Sequence, residues 1–230
     1  MSEVKKKSKR TVKKDETKVF AKGWCFPKIF LFFIIGCVLG TYWEEALWLY
    51  RYHETVNRQG LIWGPFSPIY GFGLAIFILV LGKNDAKRPI WKTYLYSCLL
   101  GGVSEYLSSF IADKVFGVKF WDYSKLFLNI NGRTSIPIML GWGLAGLVIL
   151  KLVYPFISKW IEKIPHKFAK VAFPIFVTFI AVDMVLTYGA LGRMALRNNN
   201  VKPISFVGEF FDEHFDNDYL YNKFTVMKKD

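Results

Sequence analysis

Long apolar runs separated by short basic stretches dominate the pattern of hydrophobic and polar positions along this chain. About 20 apolar residues are needed for a helix to cross a bilayer. Five runs reach or approach that length, at about 27–50, 66–82, 90–112, 134–154 and 169–192. The pattern therefore predicts an all-α fold, a polytopic membrane helix bundle with about five transmembrane helices.

Composition strengthens this prediction and excludes one class of partner. Of the 230 residues, 53% are hydrophobic and 18% are aromatic, an aromatic share well above that of soluble proteins. The net charge of +13 lies mostly between the apolar runs, where basic residues set topology, so we do not predict nucleic-acid binding. The three cysteines have no metal-site or disulfide spacing, so we predict no cofactor and leave a metal open.

The chain divides by composition into three parts. Residues 1–24 read as a basic, disordered cytoplasmic tail, 25–197 as the transmembrane bundle, and 198–230 as an amphipathic tail of phenylalanines and acids. Lys and Arg are denser in 1–28, 83–92 and 151–170 than in the alternate loops. The positive-inside rule then places the N-terminus inside and the C-terminus outside, most naturally in the cell (cytoplasmic) membrane.

Three acids inside the apolar runs, Glu44, Glu105 and Asp183, are the leading candidates for a ligand site. A charge in hydrocarbon costs several kcal/mol, so an ionisable residue in a span is a functional-site hypothesis by default. In the predicted orientation all three lie in the outer half of the bilayer. Glu44 and Glu105 each follow a glycine by four residues, which turns them toward helix-packing faces. We therefore predict an outward-facing acidic cavity.

Arginines near the ends of the runs complete this candidate site. Arg133 follows an Asn-Gly turn signal, and its guanidinium suits a carboxylate or phosphate bidentately. Arg58 is a further candidate, and Asp122 would point into the cavity mouth. The alternative interpretation is that these groups form buried ion pairs that only fix helix packing.

Two further motifs are predicted to shape the structure around the site. Gly64, Pro65 and Pro68 precede the second run and predict either a re-entrant segment or an ordinary loop entering a helix. Trp121, Tyr123 and Asn129 lie in an aromatic stretch that we expect at the membrane surface.

Several of these motifs, in this order, resemble one family of small membrane proteins. They are Gly40-Thr-Tyr-Trp-Glu44, Asn57-Arg58-Gln-Gly60, Gly64-Pro65-x-x-Pro68-x-Tyr70-Gly71-x-Gly73, Ser104-Glu105-Tyr106-Leu107-Ser108-Ser109, Phe116-Gly117, Trp121-Asp122-Tyr123, Asn129-Ile-Asn131-Gly132-Arg133 and Trp142-Gly143. Together they resemble the family described as putative ABC-transporter type IV, also called CmpB-like permeases, over about 30–155. Gln59 and the second acid, Glu45, depart from the family pattern. The resemblance implies a permease.

The leading function is therefore a transporter-like permease component that handles an ion, a lipid or a small polar solute. The chain contains no Gly-x-x-x-x-Gly-Lys-Ser/Thr, so ATP hydrolysis would need a separate ATPase subunit, with 154–168 as the candidate docking segment. Two alternatives stay open: an intramembrane lipid-modifying enzyme and a membrane assembly factor. No catalytic residue is assigned. The expected partners are the lipid bilayer, that ATPase and, as an open question, further copies of the chain.

Overall fold

The computed structural model describes residues 19–111, 113–114 and 121–225. The family motif Phe116-Gly117 and most of the basic tail lie outside these ranges. The described residues are mostly helical, and the strands among them are two-residue segments, β1 (Asn129–Ile130) and β2 (Thr134–Ser135), which pair antiparallel. The predicted all-α fold class is confirmed.

The helices follow the predicted apolar runs. They are α1 (Phe26–Tyr52), α2 (Pro68–Leu81) followed by a 3₁₀ turn (Gly82–Lys87), α3 (Ile90–Ile111), α4 (Ile136–Leu147) followed by a π-helical turn (Val148–Val153), α5 (Tyr154–Ile161), α6 (His166–Asn198), α7 (Phe206–His214) and α8 (Asn217–Lys223).

By length and composition, four helical segments of the described chain could cross a membrane: Phe26–Tyr52, Pro68–Lys87, Ile136–Ile161 and His166–Asn198. Helix α3 is 22 residues long but is not among them. It carries Glu105 and several serines, which lower its hydropathy. The span predicted at 134–154 continues as helix to Ile161, because a π turn precedes Pro155. A π turn can relieve the clash between a proline ring and the preceding turn of helix.

The chain forms two compact units: residues 1–30 with 73–164 (unit 1), and 31–72 with 165–230 (unit 2). In unit 1, α3 and α4 pack antiparallel through small residues. The ring of Trp142 covers Gly101, and Tyr94 and Cys98 cover Gly143, so closely that an added Cβ at either glycine would overlap them. Glycines allow helix backbones to approach in this way.

A buried polar cluster holds the turn between α2 and α3 in unit 1. Asp85 is 2% exposed and accepts a hydrogen bond from the Thr93 hydroxyl at 2.6 Å. Lys151, in the π turn, approaches the Asp85 carboxylate at 2.9 Å and donates to the backbone carbonyls of Asp85 and Arg88. This cluster ties the turn to the π-helical segment.

A second ion pair in unit 1 joins residues far apart in sequence. The ammonium of Lys28, which is buried, donates to the carboxylate of Glu162. The hydrogen bond from Lys28 holds the pKa of Glu162 below its ordinary value, against an opposing effect of burial. The pair therefore anchors the start of α1 to the end of α5.

In unit 2, the two C-terminal helices α7 and α8 pack against α6 around a hydrophobic cluster. Its buried members are Ile62, Ala190, Met194, Phe211, Phe215, Leu220 and Phe224. Arg193 is 6% exposed and binds Asp212 through two hydrogen bonds, of 2.9 and 2.7 Å. Residues 206–223 of the predicted tail are therefore folded helix, fixed by packing and by a guanidinium–carboxylate fork.

Candidate functional site

Glu44 lies in a hydrogen-bonded centre within unit 2. Its Oε1 accepts the Tyr70 hydroxyl at 2.5 Å, and its Oε2 lies 3.9 Å from Nε of Arg58. The guanidinium of Arg58 also stacks over the Trp48 ring, 4.2 Å from its centroid. Tyr70 packs directly over Gly40, one turn before Glu44 on α1. Because Gly40 has no side chain, Tyr70 can pack against α1 and reach Glu44. The carboxylate of Glu44 therefore has two partners within unit 2, Tyr70 and Arg58.

The neighbouring acid, Glu45, is also half-buried. Its Oε1 accepts the backbone N–H of Arg58 at 3.2 Å. The sequence predicts that Glu45 points at least partly away from the bundle. In the structure both acids contact the segment after α1, one through the side chain of Arg58 and the other through its backbone.

Asp183 holds a non-helical stretch of chain against the middle of α6. The carboxyl group is fully buried, and its Oδ1 accepts the backbone N–H of Trp63 at 3.2 Å. Thr187, one turn further along, donates to the same oxygen at 3.3 Å and accepts the backbone N–H of Ile62 at 3.0 Å. The other oxygen, Oδ2, is buried and has no hydrogen-bond partner among the described residues.

This non-helical stretch also contacts α1 inside unit 2. The backbone N–H of Ser67 donates to the carbonyl oxygen of Cys37 at 3.1 Å, and Cys37 lies near the middle of the Phe26–Tyr52 segment. Gly64 has φ +75°, and the carbonyl of Phe66 accepts the N–H groups of Gly60 and Leu61. Residues 60–67 thus form a tight turn that meets the central parts of two candidate spans, and α2 begins at Pro68.

In unit 1, Glu105 is held by two hydroxyl groups. Its Oε1 accepts the Tyr123 phenol at 3.0 Å and its Oε2 accepts the Thr134 hydroxyl at 2.7 Å. Burial, and then the neighbouring Glu105 charge, raise the pKa of Tyr123 to about 12, so the phenol stays a donor at neutral pH. Both donors belong to the segment between α3 and α4, which Glu105 therefore fastens to α3.

Arg133 has partners other than Glu105. Its guanidinium binds Asp113 at 2.5 Å and the backbone carbonyl of Ser109 at 2.9 Å, and it lies over the Phe110 ring. Its ion pair within the described residues is with Asp113. This arrangement fixes the end of α3 to the β1–β2 turn.

The remaining predicted residues order the loop that carries Arg133. Oδ1 of Asp122 accepts the backbone N–H of Ser124 at 2.9 Å, and the Trp121 indole N–H donates to the carbonyl of Arg133 at 2.8 Å. Asn129 donates to the carbonyls of Ser124 and Leu126 and accepts the N–H of Gly132.

The structure therefore brings the predicted residues together in part. Glu44 and Arg58 are paired, and Glu44, Arg58 and Asp183 all belong to unit 2, whereas Glu105, Asp122 and Arg133 belong to unit 1. Sequence reasoning did not find Tyr70, Thr187, Thr134 or Asp113, whose roles depend on contacts distant in the chain. In the described chain, no group of three or more His, Cys, Asp or Glu residues is placed to hold a metal ion.

Long apolar helices with few charges define this chain as an integral, multi-pass membrane protein. The family model described as putative ABC-transporter type IV matches residues 31–188, and the chain belongs to that family. The resemblance predicted from the motifs is confirmed. Comparison with curated proteins gives no match, and comparison with solved structures gives none either.

Proposed function

We propose that this protein is the membrane permease component of a transporter, and that unit 2 carries its path for a polar solute. Glu44, Arg58 and Asp183 would contact the solute, together with the turn at 60–67. The proposal keeps the N-terminus inside and places the protein in the cytoplasmic membrane, as the distribution of basic residues favours.

The observation that supports the proposal is the position of the turn at 60–67. Trp63 binds the mid-helix residue Asp183, and Ser67 binds Cys37 near the middle of α1. Non-helical backbone at membrane depth is tolerated only where it is buried in protein or lines a polar cavity. Secondary transporters likewise place non-helical backbone at their substrate sites near the bilayer midplane.

The charges of unit 2 indicate which solutes fit. Oδ2 of Asp183 is buried and has no hydrogen-bond partner among the described residues, and a carboxylate in such a place favours a proton or a cation. Glu44 and Arg58 form a partly exposed pair that a polar solute could open. A proton, a small cation or a polar headgroup therefore suits this path better than an apolar molecule.

Family membership also supports a separate ATPase subunit. The candidate surface in unit 1 is the end of α5, where Phe156 and Trp160 are exposed and the Lys163 ammonium lies over the Trp160 ring. Purification of the tagged chain from its native membranes in mild detergent should yield ATP hydrolysis. Trp160→Ala should remove that activity, while Phe206→Ala, at an exposed aromatic of unit 2 that lies outside the docking segment, should not.

Access of water to the turn tests the solute path directly. The native thiols, Cys25, Cys37 and Cys98, are first replaced by alanine. Trp63→Cys, at a half-exposed position of the turn, should then react with a membrane-impermeant thiosulfonate added to one side of sealed vesicles. Val185→Cys, at a highly exposed position of α6, is the lipid-facing control and should stay unlabelled. A Trp63→Cys variant that is as unreactive as Val185→Cys from both sides would rule out the path.

A further inference from the structure

A surface pocket beside Glu45 has the chemistry of a binding site that the sequence does not predict. Its volume is about 520 Å³, within the ~300–1,000 Å³ range of small-molecule sites. Its lining residues are Tyr42, Glu45, Ala46, Leu49, Thr55, Val56 and Asn57. The first four share one face of α1, at the i, i+3, i+4 and i+7 positions, and the last three follow the helix. All belong to unit 2.

We propose that this pocket binds an organic ammonium group that carries an apolar chain. Glu45 is the one charged residue of the lining. The hydroxyls of Tyr42 and Thr55 add acceptors for ammonium N–H groups, and Ala46, Leu49 and Val56 supply an apolar wall. Among the described residues, the lining has one carboxylate and no basic side chain, which favours a cation over a phosphate or a carboxylate.

The local charge balance supports this ligand class. Among the described residues, the guanidinium of Arg58 pairs with Glu44, and Glu45 accepts the backbone N–H of Arg58. These two carboxylates and one guanidinium carry one net negative charge at the end of a candidate span. A half-buried charge in this position is stabilised by an added cation.

The wall opposite α1 is already held in place without a ligand. The side-chain amide of Asn57 donates to the side chain of Gln59 and accepts the backbone N–H of Gln59. The backbone carbonyl of Asn57 accepts the Thr225 hydroxyl at 3.1 Å. The Arg58 N–H joins the same segment to Glu45. A preformed pocket loses less conformational entropy on binding than a mobile loop does. The site does not depend on transport.

Calorimetric titration of the full chain in a nonionic detergent at neutral pH tests the proposal. Hexylamine should bind at least about tenfold more tightly than hexanol, the size expected of one charge-assisted hydrogen bond. Glu45→Gln should remove that difference. Glu54→Gln neutralises an exposed acid of the same segment that does not line the pocket, and it should bind hexylamine as the wild type does.

The ammonium could belong to a lipid headgroup or to a free amine, and two further probes separate these sources. Dihexanoyl phosphatidylethanolamine that competes with hexylamine, while dihexanoyl phosphatidylglycerol does not, identifies a lipid. Competition by neither lipid identifies a free amine. Ala46→Leu fills the pocket and keeps the charge, so it should also weaken hexylamine binding, which covers the case in which Glu45→Gln fails to fold. Equal binding of hexylamine and hexanol, or an unchanged affinity in Glu45→Gln, would overturn the proposal.

Discussion

The backbone N–H of Trp63 donates to Oδ1 of Asp183, a residue 120 positions later in the chain. One carboxyl group thereby fixes the turn at 60–67 to α6. Thr187 supports the same contact from the next turn of α6 by accepting the N–H of Ile62. The two side chains act together, because they are hydrogen-bonded to each other at 3.3 Å.

Replacing Asp183 should separate its hydrogen-bonding role from its charge. Asp183→Asn keeps an oxygen that can accept the Trp63 N–H, so its thermal midpoint in detergent should stay close to that of the wild type. Asp183→Leu leaves buried donors unsatisfied, which costs about 1–3 kcal/mol each. It should lower the midpoint and increase labelling of Trp63→Cys.

Two threonines of α6 provide a second test of this prediction and its control. Thr187→Val should behave as Asp183→Leu does, since it removes the acceptor for Ile62. Thr178→Val alters an exposed position of the same helix and should have no effect on either measurement. Equal losses in Asp183→Asn and Asp183→Leu would mean that the charge, and not the hydrogen bond, holds the turn.

The helices could be predicted from the sequence, because apolar runs of about 20 residues have few alternatives in a bilayer. The partners of the buried acids could not. Asp183 accepts the backbone N–H of Trp63, a group that every residue but proline possesses and that leaves no sequence signal. Buried ion pairs are the alternative interpretation of these acids and arginines, but neutral hydroxyls from the neighbouring loop bind Glu105 and Arg133 binds Asp113.

The end of the fourth predicted span shows a second reason why sequence-based prediction is incomplete. The predicted span stops at 154, where the apolar run ends, next to Pro155. Proline normally ends a helix or kinks it. The structure passes through this point with a π turn whose Lys151 is held by Asp85. That contact depends on a loop more than sixty residues earlier, so local sequence rules could not anticipate it.

The two hydroxyl groups that donate to Glu105, from Thr134 and Tyr123, should contribute unequally to stability. Thr134 is 1% exposed and donates at 2.7 Å, whereas Tyr123 is only half-buried and donates at 3.0 Å. Thr134→Val should therefore cost about 1–3 kcal/mol and Tyr123→Phe about 1 kcal/mol or less. Unfolding in sodium dodecyl sulfate, followed by circular dichroism, measures both. A larger loss in Tyr123→Phe than in Thr134→Val would contradict the assignment.

Removing one partner of the Asp85–Lys151 pair should lower the stability of the protein more than replacing both partners. Asp85→Ala strands the half-buried Lys151 ammonium, and breaking a buried pair costs about 3–5 kcal/mol. Lys151→Met added to Asp85→Ala removes the stranded charge and should recover part of the loss. The same unfolding measurement applied to the two single variants and the double variant gives the coupling energy. A double variant no more stable than Asp85→Ala would show that the cluster acts through its other hydrogen bonds.

Acid should loosen the C-terminal helices through Asp212. The hydrogen bond from Arg193, and then that from Arg197, hold the pKa of Asp212 below its ordinary value. A carboxyl whose folded-state pKa is depressed contributes stability that is fully present above the unfolded value of about 3.9, and that is lost as pH falls through the folded value. As the pH is lowered below about 4, the thermal midpoint of the wild type should therefore decrease by more than that of Asp212→Asn, which lacks this group.

Asp218→Asn, at an exposed acid on α8, is the control and should follow the wild-type profile. Parallel profiles for the wild type and Asp212→Asn would mean that the Arg193 fork adds no pH-dependent stability to the packing of α7 on α6.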